Sequence, residues 1–336
     1  MKLSEFDYDL PEGLIAQEPL EDREGARLMV LDRSSGKIDE RSFNEIDEFI
    51  EPEDCLVLND TRVIPARLFG ARKTGGRVEI FLLDNTSGTP RALIRPSKRV
   101  KEGEEITLES GVRATILGSA DVGRFVEFNA PLEEVLKSGH VPLPPYITRE
   151  DLPVDREYYQ TVFACKEGAT ASPTAGLHFT HELINILGAK GVSVVCITLH
   201  TSYGTFAPVK AEEIEEHKMH VENFEIDEMV ANVINKTKSS GGRVFAVGTT
   251  SVRVLETAAV KKGEVAPSSG FTDLFIYPGY KFKITDGIIT NFHLPRSTLL
   301  MLVSAFAGKD FIFKAYEKAI RKEFRFFSYG DAMLII

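Results

Sequence analysis

DEMVANVINKTKSSGGRVFAVGTTSVRVLETAAVKKG, residues 227–263, decides the fold class. DEMVANVINKTKSSGG reads as a helix, RVFAVG as a short apolar strand, and SVRVLETAAVKKG as a second helix. Helix, strand and helix in immediate succession is the texture of a layered α/β domain. The pattern extends upstream. HELINILGAKG (181–191) reads as a helix behind a Thr180 cap, VSVVCITLH (192–200) as a strand, and AEEIEEHKM (211–219) as another helix. DCLVLND (54–60) is a buried-type strand that joins the same domain.

Between Arg62 and Asn129 the texture differs. RVIPARLFGA, RVEIFLLD, RALIRP, EEITLES, VRATILG and GRFVEFN are short and alternating, and TGG, NTSGTP and SADVG separate them as turns. That spacing suits a small antiparallel barrel or sandwich. A short helix, PLEEVLKSG, follows, and then an extended Pro-rich linker, HVPLPPYITRED. The expected fold is therefore mixed α/β. A larger layered α/β domain spans residues 1–60 and 149–336, and a smaller inserted antiparallel β-barrel domain spans 61–148.

Composition narrows the function classes. The chain has 336 residues, 43% hydrophobic and 27% charged, the profile of an ordinary globular protein. Three separated cysteines, Cys55, Cys165 and Cys196, give neither a disulfide frame nor a structural zinc pattern. The N-terminal MKLSEFDYDLPEG lacks an apolar core for a signal peptide, and TLLMLVSAFAG (298–308) is too short to span a bilayer. A cytoplasmic location with no membrane partner is expected. The net charge is −10, yet residues 61–101 hold ten Lys or Arg against Glu79 and Asp84, a local +8. Such a lobe suits a polyanion, and it equally suits a solvated face of alternating charge.

In α/β proteins, sites form where strands end and helices begin. Gly248 permits a tight turn after RVFAVG. Thr249, Thr250, Ser251 and Arg253 then sit at a helix start whose free N–H groups and dipole suit a carboxylate or phosphate. The same residues would serve as an unliganded cap. His200 follows a strand, and His293 lies between the strand-like IITNF and a helix capped near Ser297. His178 closes the small-residue stretch GATASPTAGLHFT (168–180) just before a helix. His217 and His220, in EEHKMHVE, end a charged helix, and no metal-ligand spacing appears among the histidines.

Several strings then carry a resemblance: NDTRVIPARL (59–68), PPYI (144–147), YQTVFA (159–164), SPTAGLHFT (172–180), GGRVFAVGTTSVRVLE (241–256), TDLFIYPGY (272–280), TNFHLPRSTLLMLVSAF (290–306) and RFFSYGDAMLI (325–335). In this order they resemble the S-adenosylmethionine:tRNA ribosyltransferase-isomerases of queuosine biosynthesis. HTSYGTF (200–206) departs from that pattern at Thr201, Ser202 and Tyr203, where smaller residues are usual. The resemblance implies that S-adenosylmethionine is consumed as a ribosyl donor, with no metal or redox cofactor. The implied acceptor is 7-aminomethyl-7-deazaguanine at the wobble position of a tRNA. The product is epoxyqueuosine, and adenine and methionine are released.

That chemistry requires a base, a proton donor for adenine, an anion site and a pocket for a nucleotide turned out of its stack. His178, His200 and His293, with Asp331 nearby, are the expected catalytic group. Gly248, Thr249, Thr250, Ser251, Arg253 and Phe179 are expected around the donor, with Tyr203 or Tyr277 as further faces for the sulfonium. Arg62, Arg67, Arg95, Lys98 and Arg99 are the expected tRNA contacts, and the enzyme is expected to act as a monomer. A non-catalytic RNA-binding module and a conventional methyltransferase are the competing readings; no glycine-rich loop follows the first strand to support the latter.

Overall fold

A computed structural model describes residues 1–84, 88–202 and 209–336 of the chain. Nine strands form one mixed sheet in the order Ser268–Thr272, Glu222–Ile226, Ser193–Leu199, Cys55–Asn59, Val244–Val247, Gly287–Asn291, Ala332–Ile335, Arg27–Asp32 and Lys37–Ser42. Cys55–Asn59 runs parallel to both its neighbours, and Val244–Val247 runs parallel to Gly287–Asn291. Adjacent strands therefore deliver their carboxyl ends to one edge of the sheet. The outer strands pair antiparallel.

The sheet is covered on both faces. In Cys55–Asn59, Cys55 and Val57 join one apolar layer while Leu56 and Leu58 join the other. A strand with no solvated side needs no polar alternation, which is why DCLVLND is nearly continuous in apolar residues. Helices Glu228–Ser239, Gly248–Thr257, Thr298–Ala307 and Lys309–Arg321 pack into the first layer, and His181–Lys190 packs into the second.

Local chemistry fixes the helix ends. The Thr180 hydroxyl accepts the Leu183 N–H at 3.0 Å, and Gly191 closes that helix at φ 104°. The Asp227 and Ser297 side chains accept from Val230 and Leu300 at 2.8 and 3.2 Å. The helix expected at 211–219 does not form. Only a single 3-10 turn, Ile214–Glu216, interrupts an irregular path, because the segment buries Ile214 alone and has no apolar stripe to lay on the sheet. His217 and His220 accordingly do not end a helix.

Six antiparallel strands form the second sheet: Arg67–Arg72, Arg77–Asp84, Arg91–Arg95, Glu105–Leu108, Arg113–Ser119 and Arg124–Phe128. Their pairings close into a ring around a separate core that includes Leu68, Ile80, Ile94, Ile106, Ile116 and Val126. Thr61–Val63 is not part of this ring; it pairs in parallel with Lys166–Ala169. Arg62 therefore lies on a short ladder outside the ring. Among the described residues, no helix is long and apolar enough to cross a membrane.

Candidate functional site

A cavity of about 400 Å³ opens at the carboxyl edge of the parallel strands. Ser193–Leu199 leads into it through Thr201, Val244–Val247 through Gly248, Thr249 and Thr250, and Gly287–Asn291 through Asn291, Phe292 and His293. Residues 172–175 form another wall, and Tyr146, Phe327 and Ser328 close the side nearest the linker. Gly248 turns the chain at φ 86°, and a side chain there would meet the Thr250 hydroxyl at 3.3 Å.

The polar lining is mostly neutral. The hydroxyls of Ser172, Thr201 and Thr250 are buried at this cavity and have no hydrogen-bond partner among the described residues. Leaving a buried hydroxyl unpaired costs about 1–3 kcal/mol, so three at one cavity mark a surface shaped for a ligand. The backbone carries strain at the same place. Arg296 and Phe327, two of the non-glycine residues with positive φ, at 55° and 70°, both line the cavity. Arg296 itself is held by Asp7.

His293 is the one expected catalytic residue that lines this cavity. Its backbone is gripped from both sides: its N–H donates to the Tyr316 hydroxyl at 2.8 Å, and its carbonyl accepts from Tyr8. Nε2 lies 3.0 Å from the Thr290 hydroxyl. Burial pushes the imidazole pKa down to about 3, so the ring is a free base at neutral pH.

The other expected residues are placed differently. His178 lies behind the cavity wall, in a small hollow with Arg23, Tyr158 and Tyr329, and its ring packs 4.9 Å from Phe43. Burial is the main cause that pushes its pKa down to about 4, and the Arg23 guanidinium adds to it. It touches the cavity lining through Asn291, 3.1 Å away. His200 is half-buried and bonded to the Thr61 hydroxyl at 2.8 Å; burial lowers its pKa. Asp331 accepts the backbone N–H groups of Arg27 and Arg325 at 2.9 and 2.8 Å, and burial raises its pKa. It braces the chain where Arg27–Asp32 begins and does not line the cavity.

Around the expected donor site, Gly248, Thr249 and Thr250 line the cavity, whereas the Ser251 hydroxyl is turned inward to the Val247 carbonyl at 2.7 Å. Arg253 is the sixth residue of Gly248–Thr257, beyond the first turn where it was expected. Its guanidinium pairs with buried Glu222 and donates to the Leu274 carbonyl at 3.1 Å. Phe179 packs edge-on to Phe43 in the core, Tyr277 lies tilted against Phe275 at 49°, and neither residue lines the cavity. Tyr203 lies outside the described residues.

The small residues at 168–176 have two uses. Ser172–Ala175 backbone and side chains line the cavity, while the glycines serve close packing. A side chain at Gly168 would meet the His200 ring at 2.9 Å, and one at Gly176 would meet Phe163 at 2.7 Å.

The expected tRNA-contact residues divide by partner. Arg67 bonds Glu79 at 2.8 Å, Arg95 stands 4.0 Å from the same carboxylate, and Arg62 stands 4.0 Å from Glu167. Lys98 and Arg99 are exposed on the turn after Arg91–Arg95 and make no ion pair among the described residues. Sequence reasoning missed Tyr146 and Asn291 as cavity residues, and it tied Ser172 and Thr201 to the pocket only through the small-residue stretch and through pocket shape. All four sit in or beside the motif strings, but a lone hydroxyl or amide in a string carries no sign of which way it points.

With this geometry in hand, three comparisons bear on the chain. A family model described as "Queuosine biosynthesis protein" matches residues 3–335. Proteins named S-adenosylmethionine:tRNA ribosyltransferase-isomerase from Halothermothrix orenii and Caldanaerobacter subterraneus subsp. tengcongensis are 52% and 54% identical, each over 100% of both chains. The crystal structure of S-adenosylmethionine tRNA ribosyltransferase from Thermotoga maritima is 40% identical, covers 99% of this chain and 100% of that one, and superposes with a TM-score of 0.57.

Proposed function

The chain belongs to the queuosine biosynthesis family, and from that premise we propose that the cavity at the strand ends binds S-adenosylmethionine beside an acceptor nucleotide of tRNA. The protein is a tRNA-modifying transferase that moves and isomerises the ribosyl group of S-adenosylmethionine. The acceptor in this reading is the aminomethyl group of 7-aminomethyl-7-deazaguanine at the wobble position. Epoxyqueuosine forms, and adenine and methionine leave. S-adenosylmethionine is consumed as a substrate, and no further cofactor takes part.

The observation that carries the reading is the set of three buried hydroxyls, Ser172, Thr201 and Thr250, unpartnered among the described residues, in a cavity whose other polar lining is mostly neutral. Neutral donors and acceptors match a nucleoside. His293 is the proposed base for the proton on the carbon next to the sulfonium, since its ring is unprotonated at neutral pH and the residue lines the cavity. Tyr146, whose phenol burial keeps protonated, is a donor on the linker side of the cavity, 2.5 Å from the Ser328 hydroxyl. His178, acting through Asn291, and His200, acting through Thr61, hold their partners in place. Asp331 supports the same region from the backbone.

The ring of six strands is proposed as an inserted barrel domain at 61–148 on a body of 1–60 and 149–336. In this proposal the monomer uses its Arg62, Arg67, Arg95, Lys98 and Arg99 on tRNA phosphates. Incubation with labelled S-adenosylmethionine and tRNA carrying the modified base tests the chemistry. Adenine release is expected; S-adenosylhomocysteine would indicate methylation, and no turnover would indicate a binding module.

A further inference from the structure

A second cavity, of about 370 Å³, lies across Thr249 and Thr250 from the first; these two residues and Leu299 line both. The two cavities differ in charge. Arg296 is the one Lys, Arg, Asp or Glu among the described residues lining the first, and Asp7 neutralises it. The second is lined by Lys210, Glu216, Lys218, Glu222 and Arg253, with His217 and His220. Its most buried members are the Glu222–Arg253 pair, whose side chains are 3% and 6% exposed. That pair is held rigidly. The Ser202 N–H donates to Glu222 at 3.0 Å, and Arg253 Nε donates to the Leu274 carbonyl at 3.1 Å.

S-adenosylmethionine is divided in the same way. Its adenosine half is neutral, and beyond the sulfonium its other end is an α-amino acid zwitterion. A zwitterion needs both signs within a few ångströms, and a neutral wall would leave its charges desolvated without compensation. We propose that the second cavity holds the α-amino acid end of the donor, its ammonium beside Glu222 and its carboxylate beside Arg253 and Lys210. The proposal rests on the reading that the first cavity takes the adenosine half. The sulfonium then lies over Thr249 and Thr250, and the buried Thr250 hydroxyl, unpartnered among the described residues, meets the ligand at the crossing point. Because the protein pair and the ligand pair alternate in sign, the filled cavity gains no net charge.

The test compares S-adenosylmethionine with 5′-methylthioadenosine, which keeps the adenosine half and lacks the amino acid. Dissociation constants are measured for wild type, Glu222→Gln and Lys210→Ala. Lys210 is exposed, so its variant tests the proposal even where loss of the buried carboxylate impairs folding. The expected result is weaker S-adenosylmethionine binding, by about tenfold or more for Glu222→Gln and several-fold for Lys210→Ala, with 5′-methylthioadenosine within about twofold of wild type. Equal losses for both ligands, or no loss for either, would overturn the placement. If wild type bound S-adenosylmethionine but Thr201→Val left the affinity of both ligands unchanged, the first-cavity reading would fail instead.

Discussion

Nε2 of His178 lies 3.1 Å from the side-chain amide nitrogen of Asn291. Oδ1 of the same amide accepts the Thr174 hydroxyl at 2.9 Å, and in this orientation its N–H groups face the ring. His178 therefore accepts through Nε2 and carries its proton on Nδ1. The pair ties the loop before helix His181–Lys190 to the end of strand Gly287–Asn291, two walls of one cavity.

Burial of the His178 ring makes stability depend on pH. Unfolded, His178 takes a proton near its ordinary 6.5; folded, it does so only near 4. Between those values the unfolded chain binds the extra proton, so acid removes stability, by about 1.4 kcal/mol per pH unit for each such group. His293, pushed to about 3, acts in the same direction. Urea unfolding from pH 7 to pH 4.5 should show His178→Gln losing less stability with acid than wild type. Parallel curves would mean that His178 is protonated in the folded enzyme.

The unpartnered hydroxyls should separate stability from binding. Thr201→Val keeps the shape and removes a buried polar atom with no partner among the described residues. The empty enzyme should become about 1 kcal/mol more stable or stay unchanged, while S-adenosylmethionine binds about fivefold to tenfold more weakly. Thermal melts with and without the donor measure both. A destabilised empty enzyme would show that the hydroxyl already has a structural use.

Lys98 and Arg99 are the cleanest test of tRNA docking, because the neighbouring Arg67 already bonds Glu79. The Lys98→Ala, Arg99→Ala double variant should bind all tRNAs more weakly. Its slope of log K against log salt should be shallower by about one to two units, since each lost contact releases roughly 0.7–0.9 fewer counterions. Donor affinity should not change. A wild-type slope would move tRNA docking to the larger body.

The fold was legible wherever one period dominated. DCLVLND, RVFAVG and the six alternating segments of residues 62–129 became strands, because burial on two faces or on one leaves a direct trace in sequence. AEEIEEHKM looked helical from composition, but it offers only Ile214 to a core and stays irregular. The site was legible as a place more than as a set of side chains. His293, Thr249 and Thr250 follow from strand ends, whereas the inward turn of Ser251 and the pairing of Arg253 with Glu222 depend on contacts between distant segments. His178 fell one layer behind the cavity for the same reason.

The central claim is that the His293 ring removes the proton that starts ribosyl transfer. Single-turnover adenine release by His293→Gln, with saturating S-adenosylmethionine and modified tRNA, tests it most directly. Both substrates should bind within about threefold of wild type, while adenine release slows by about 10²-fold or more, the usual worth of a general base. Adenine release near the wild-type rate would contradict the claim and place the base elsewhere in the cavity.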